Sequence, residues 1–145
     1  MPDGALSMNL CVDKAKGDDM CYFAKVNYDG AGLSKIVGNI PGTGHPSVHA
    51  SGKYLITDAY PGETNVSFDD GSVPIRFINI EKQTCTNIIR MHTLTPEEAE
   101  SSAFRVDPHP AWTPDWKHIV FNGFAGGTRR VYIADLSGLV DSQRS

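Results

Sequence analysis

The sequence predicts an all-β chain: a β-propeller fragment of two to three blades, with its first and last blades incomplete. Three observations predict it: an internal repeat at a fixed offset, a strand-turn-strand pattern in each copy, and a near absence of helical signals. The repeat lays His45-Pro46-Ser47-Val48, a turn at Ala50-Ser51-Gly52 and Lys53-Tyr54-Leu55-Ile56-Thr57-Asp58 over His109-Pro110-Ala111-Trp112, a turn at Pro114-Asp115-Trp116 and Lys117-His118-Ile119-Val120-Phe121-Asn122. The offset is a constant 64 residues (45 to 109). Self-similarity at such a period marks units that bury their hydrophobic faces only against neighbours.

Each copy reads as a short strand, a tight turn and a second strand rich in β-branched and aromatic residues. A third strand follows, Ile75 to Ile80 in one copy and Arg130 to Leu136 in the other, and each runs into polar turn residues. Cys21 to Asn27 ends in the same way at Tyr28-Asp29-Gly30, so a third copy is present in part. Fourth strands are expected at Leu33 to Val37 and Thr86 to Met91, which completes the pattern of a propeller blade. The chain then divides as one partial domain, 1–145, with blade portions at about 2–40, 41–93 and 104–140. The one helical candidate is Thr95-Pro96-Glu97-Glu98-Ala99-Glu100, where a threonine cap, a proline at the first helical position and acids in the first turn coincide. Pro2-Asp3-Gly4 matches the turn at Pro114-Asp115-Trp116, so the first blade is expected without its innermost strand and the last without its fourth. Unpaired edges of that kind call for more propeller or for a second copy of the chain.

Composition narrows the function. The 145 residues carry 13 basic and 17 acidic side chains, a net charge of −4. That balance argues against nucleic-acid binding, which needs a basic surface for phosphates. No stretch approaches the roughly 18 apolar residues of a membrane span, so no membrane partner is expected, and the N-terminus lacks the basic start and apolar centre of a signal peptide. Cys11, Cys21 and Cys85 show no CxxC spacing and are odd in number, which points to unpaired thiols, a reducing compartment and hence a cytoplasmic location.

Chemistry can sit among the histidines. His45 and His109 occupy equivalent positions, each opening a blade's first strand beside a proline, and innermost strands line a propeller's channel. Asp107 precedes His109 by two, and in an extended segment such residues share a face. His45, Asp107 and His109 are therefore the candidate metal ligands; imidazole and carboxylate without thiolate suit manganese, zinc, iron or nickel. The competing reading is that each His-Pro pair merely starts a strand and caps a loop. His49 is set aside, because four extended residues span roughly 13 Å. His118 and His92 read as surface residues, and Trp112, Phe121 and Tyr132 as core. Arg105 is the cation expected near the site, as a substrate contact or as a salt-bridge partner of Asp107, while Arg76, Arg129 and Arg130 flank third strands. Asp58 and Asn122, equivalent at the second strand's end, read as turn-forming.

Phe104 to Pro114, with Ile119-Val120-Phe121 and Val131 to Leu136, resembles the C-terminal blade of oligogalacturonate lyases, and Gly44-His45-Pro46 through Asp58 resembles the blade before it. The likeness runs from Pro2 to about Leu136; its Pro-Asp-Gly turns and Ala-Asp-Leu strand ends are shared by many TolB-like propellers, its two His-Pro openings by fewer. The resemblance implies a seven-bladed propeller that holds Mn2+ through three histidines and a glutamine. His45 and His109 match two of those histidines, Asp107 stands at the third, and Phe104 stands at the glutamine. It further implies metal-assisted β-elimination of short galacturonate oligomers in pectin breakdown, with an acidic oligosaccharide as ligand. The family's base would lie just before Pro2, so no catalytic residue is assigned and the chain is expected to be inactive alone. The contrasting expectation is a non-catalytic TolB-like segment for binding or assembly.

Overall fold

The computed structural model describes residues 1, 3–11, 21–63, 65–93 and 106–140, and arranges them as three small antiparallel sheets. The first sheet holds β1 (Leu6–Cys11), β2 (Cys21–Val26) and β3 (Ser34–Lys35). The second is a full four-stranded blade in sequence order: β4 (Ser47–Val48), β5 (Tyr54–Thr57), β6 (Val73–Asn79) and β7 (Thr84–Met91). The third holds β8 (Ala111–Trp112), β9 (His118–Ala125) and β10 (Thr128–Asp135), followed by a single helical turn, α1 (Ser137–Val140). Three successive up-and-down sheets, the outer two with three strands each among the described residues, are the propeller fragment the repeat predicts.

The two central strands of the middle blade, β5 and β6, are buried along their whole length, which is why Tyr54 to Ile56 reads as an unbroken apolar run rather than as an alternation. Tyr54, Ile56, Ile75 and Phe77 face the third blade and pack with Ile119, Phe121 and Leu136. Leu55 and Ile78 face the first blade and pack with Phe23, Val37 and Ile40. Leu55, Ile56, Ile75 and Ile78 are all 0 % exposed, and each such side chain stabilises the fold by about 1.5–3 kcal/mol through burial. The β9–β10 hairpin is closed by Gly126 and Gly127 at φ 58° and 76°; two left-handed residues in a two-residue loop match the twist of the strands they join, and glycine adopts them without strain.

Several local expectations are corrected. Cys11 and Cys21 form a disulfide, because β1 and β2 pair in a register that sets them directly opposite, with Cα atoms 4.0 Å apart. Sequence spacing carries no trace of that register, and the bond removes the cysteine argument for a reducing compartment; Cys85 is the free thiol. The fourth strand of the first blade is two residues long rather than spanning 33 to 37. The polar segment after Asp135 turns once as α1, its start capped by the Ser137 N–H donating to Asp135 Oδ1 at 2.8 Å. The helix expected at 95–100 lies outside the described residues. Among those described, no helix is long and apolar enough to cross a membrane.

Candidate functional site

The two His-Pro segments lead into the short first strands, β4 and β8, without belonging to them. Those strands are neighbours across the junction of the second and third blades, tied by the Trp112 indole N–H donating to the Ser47 carbonyl at 3.2 Å. His45 and His109 are thereby brought side by side, their rings stacked with centroids 3.4 Å apart. Asp107 Oδ2 lies 3.9 Å from His109 Nε2. One donor atom from each of His45, Asp107 and His109 falls within 4.8 Å of the others, the spread allowed when each ligand sits about 2–2.5 Å from one ion.

The convergence has a different cause from the one read in the sequence. Asp107 and His109 do not share a face of an extended segment, because His109 has φ 45° and the chain turns there through the left-handed region. Such a conformation is uncommon outside glycine and persists where surrounding bonds over-determine it. Those bonds come from Asp58. Its side chain is 1 % exposed, its Oδ2 accepts the His109 backbone N–H at 2.9 Å, and its Oδ1 accepts the His45 backbone N–H at 2.6 Å. The His45 ring adds a further contact, Nδ1 lying 3.0 Å from Oδ2, while Nε2 lies 3.4 Å from the Tyr60 hydroxyl.

The turn-forming role read for Asp58 is therefore corrected: it is a buried anchor joining both site segments. Its equivalent, Asn122, acts on the other loop, its backbone N–H donating to the Pro108 carbonyl at 2.7 Å and its side-chain amide to the Asp107 carbonyl at 3.4 Å. A signal for Asp58 existed: an acid closing the apolar run Tyr54 to Thr57, where the other copy carries a neutral amide.

Gly44 makes this anchoring sterically feasible. It has φ +81°, and a Cβ there would sit 2.2 Å from the Asp58 carbonyl oxygen and 2.4 Å from Oδ1. Its carbonyl accepts the Asn9 amide at 2.5 Å, so the first blade also grips the loop. Behind Asp58, Arg76 is 2 % exposed and donates to the carbonyls of Pro41 and Thr43 at 2.9 Å each. Burial pushes its guanidinium below its ordinary pKa, opposed by Cys85, Glu63 and Asp58 nearby; arginine remains charged all the same.

Beside the triad opens a cleft of ≈ 340 Å³ lined by Val106, Asp107, His109, Asn122, Arg129, Arg130 and Val131. The reading of Arg105 as the one cation near the site is corrected to that extent: Arg129 and Arg130 border it, and Arg105 and Phe104 lie outside the described residues. His49 stays apart, its Nε2 3.0 Å from the Trp116 carbonyl. His118 pairs with Asp115 at 2.9 Å, and His92 is exposed. Phe121 is buried, with Trp112 and Tyr132 packed around the same core.

One four-stranded blade between two three-stranded sheets, with two histidines and a carboxylate gathered where the second and third meet, defines a propeller segment with a candidate cation site. No protein-family model matches the chain, and no curated protein matches it. Among solved structures, it is similar to the crystal structure of TolB from Acinetobacter baumannii, at a TM-score of 0.60 and 20% identity over 92% of this chain. The fold is thus that of a TolB-like β-propeller, and the chain spans 28% of that protein's chain.

Proposed function

We propose that this chain is a propeller segment that holds one divalent cation through His45, Asp107 and His109 and performs no β-elimination by itself. The observation that carries the reading is the approach of three donor atoms, from two blades, to within 4.8 Å of one another. Manganese is the ion the lyase resemblance favours, and the donor set accommodates zinc, iron or nickel equally. A cation there would polarise the carboxylate of a bound uronate, the chemistry that metal-assisted elimination uses. Arg129 and Arg130 beside the triad support an acidic sugar as ligand, and Arg105 is proposed to join them. Calorimetric titration with Mn2+ tests the reading, with digalacturonate added and product followed by ultraviolet absorbance. Saturable binding of one ion without unsaturated product is expected; heat no different from buffer sinks the cation site, and turnover sinks the claim of inactivity.

A second reading, assembly, is favoured by β10. Val131 and Ile133, on one face of that strand, are 75% and 66% exposed, and among the described residues β10 pairs only with β9. An open edge beside an apolar face is the surface another blade would cover, from a second copy or from more propeller. Sedimentation of the protein, alone and as the double variant Val131→Asp/Ile133→Asp, checks it: association in the first and a monomer in the second is expected, and identical sedimentation removes the reading.

A further inference from the structure

We infer that Asp58 is a positioning residue for the cation site, fixing the tautomer of His45 and the backbone of His109 in one stroke. The role in cation binding rests on the reading above, whereas the tautomer stands on geometry alone. A carboxylate only accepts hydrogen bonds. His45 Nδ1 lies 3.1 Å from Asp58 Oδ1 and 3.0 Å from Oδ2, so Nδ1 carries the hydrogen in a neutral ring and Nε2 keeps the lone pair. That is the arrangement in which a carboxylate behind an imidazole orients it and raises its basicity toward a metal. The same carboxylate accepts the backbone N–H of both histidines. It thereby holds His109 at φ 45° and sets the spacing of two rings that belong to different blades.

Tyr60 completes the arrangement. Its hydroxyl lies 3.4 Å from His45 Nε2, the atom the Asp58 contact leaves as acceptor, so an arriving ion takes the place of that long hydrogen bond and not of the Asp58 contact. The buried carboxylate accordingly keeps its partners in both states, which makes it a fixed support rather than a ligand.

Long-range 1H–15N spectra of the metal-free protein test this directly, with the His45 signals assigned by their loss in His45→Gln. The Nδ1–H tautomer is expected; an Nε2–H tautomer in the wild-type protein overturns the inference without any need for an Asp58 variant. Asp58→Asn, checked for folding by circular dichroism, is expected to shift His45 toward a tautomer mixture and to weaken Mn2+ binding about 10- to 100-fold. A folded Asp58→Asn protein with unchanged tautomer and unchanged Mn2+ affinity overturns it as well. If the wild-type protein takes up no Mn2+, the cation reading fails by itself, and the tautomer spectrum alone decides the role of Asp58.

Discussion

His45 and His109 lie face to face across the junction of two blades, with ring planes 20° from parallel. They are repeat-related residues, and the same local sequence carries each to the start of its blade's first strand. Adjacent blades then do what neither segment can do alone and set two imidazoles beside one carboxylate. Removing either ring should cost the ion a ligand while sparing the core, since the side chains of His45 and His109 are 29% and 51% exposed. His45→Ala and His109→Ala are each expected to weaken Mn2+ binding by at least about 100-fold in a calorimetric titration. In wild-type protein, Mn2+ at a hundred times its dissociation constant should stabilise the fold by about 2.7 kcal/mol, reversed by chelator; unchanged thermal midpoints would count against the site.

Gly44 and Gly62 provide a controlled comparison, because both have a left-handed backbone, at φ +81° and +83°, and only Gly44 is crowded. Gly62→Ala should cost roughly 1–2 kcal/mol, the price of the conformation itself. Gly44→Ala must in addition push a methyl into Asp58, and a loss of about 3 kcal/mol or more is expected. Urea unfolding of the two variants measures the difference; equal losses would show that the loop yields without disturbing the anchor.

The repeat made the architecture legible, since a His-Pro opening, a turn and an apolar second strand recur together and periodicity survives without knowledge of contacts. His45 and His109 were legible for the same reason, whereas Asp107 was reached through an extended-segment argument that the left-handed turn at His109 replaces. What escaped depends on pairing between distant segments. The kink at His109 is stabilised by a residue 51 positions away, and nothing local in Asp107-Pro108-His109 announces it. Asp58 resembles a turn former because a strand-end acid looks the same whether its acceptors face water or two buried backbone N–H groups. The Cys11–Cys21 bond follows from the β1–β2 register, which composition and spacing do not encode. Arg129 and Arg130 border the cleft because β10 pairs along the whole of β9, a relation invisible to distance along the chain.

The disulfide closes a loop between residues separated by 10 positions. By chain entropy a loop of that size is worth roughly 2–3 kcal/mol. Reduction, or the double variant Cys11→Ser/Cys21→Ser, is expected to lower the unfolding free energy obtained from urea titration by that amount. A thiol assay on denatured, unreduced protein should count one reactive group, Cys85. Three reactive groups would mean that the bond does not form.

Acid sensitivity should come from the turns. Asp115 is held well below the ordinary carboxylate range first by the Thr113 hydroxyl, 2.5 Å away, then by the Lys117 backbone N–H and by His118. Asp70 is held down likewise, first by the Ser72 hydroxyl at 2.6 Å and then by Arg90. A carboxylate whose pKa is lower in the folded chain than in the unfolded one binds protons more weakly when folded. Its contribution is therefore complete above the unfolded value of about 3.8 and is lost as the pH falls through the folded one. Asp115→Asn and Asp70→Asn should each lower the urea midpoint near neutral pH, and the gap from wild type should narrow as the pH is taken below about 4. Both carboxylates are solvent-facing, so the gaps should also shrink in high salt, which screens Arg90 and His118 while leaving the hydroxyl bonds in place. A gap that stays constant from neutral to strongly acidic solution would mean that these carboxylates hold their turns by shape and not by charge.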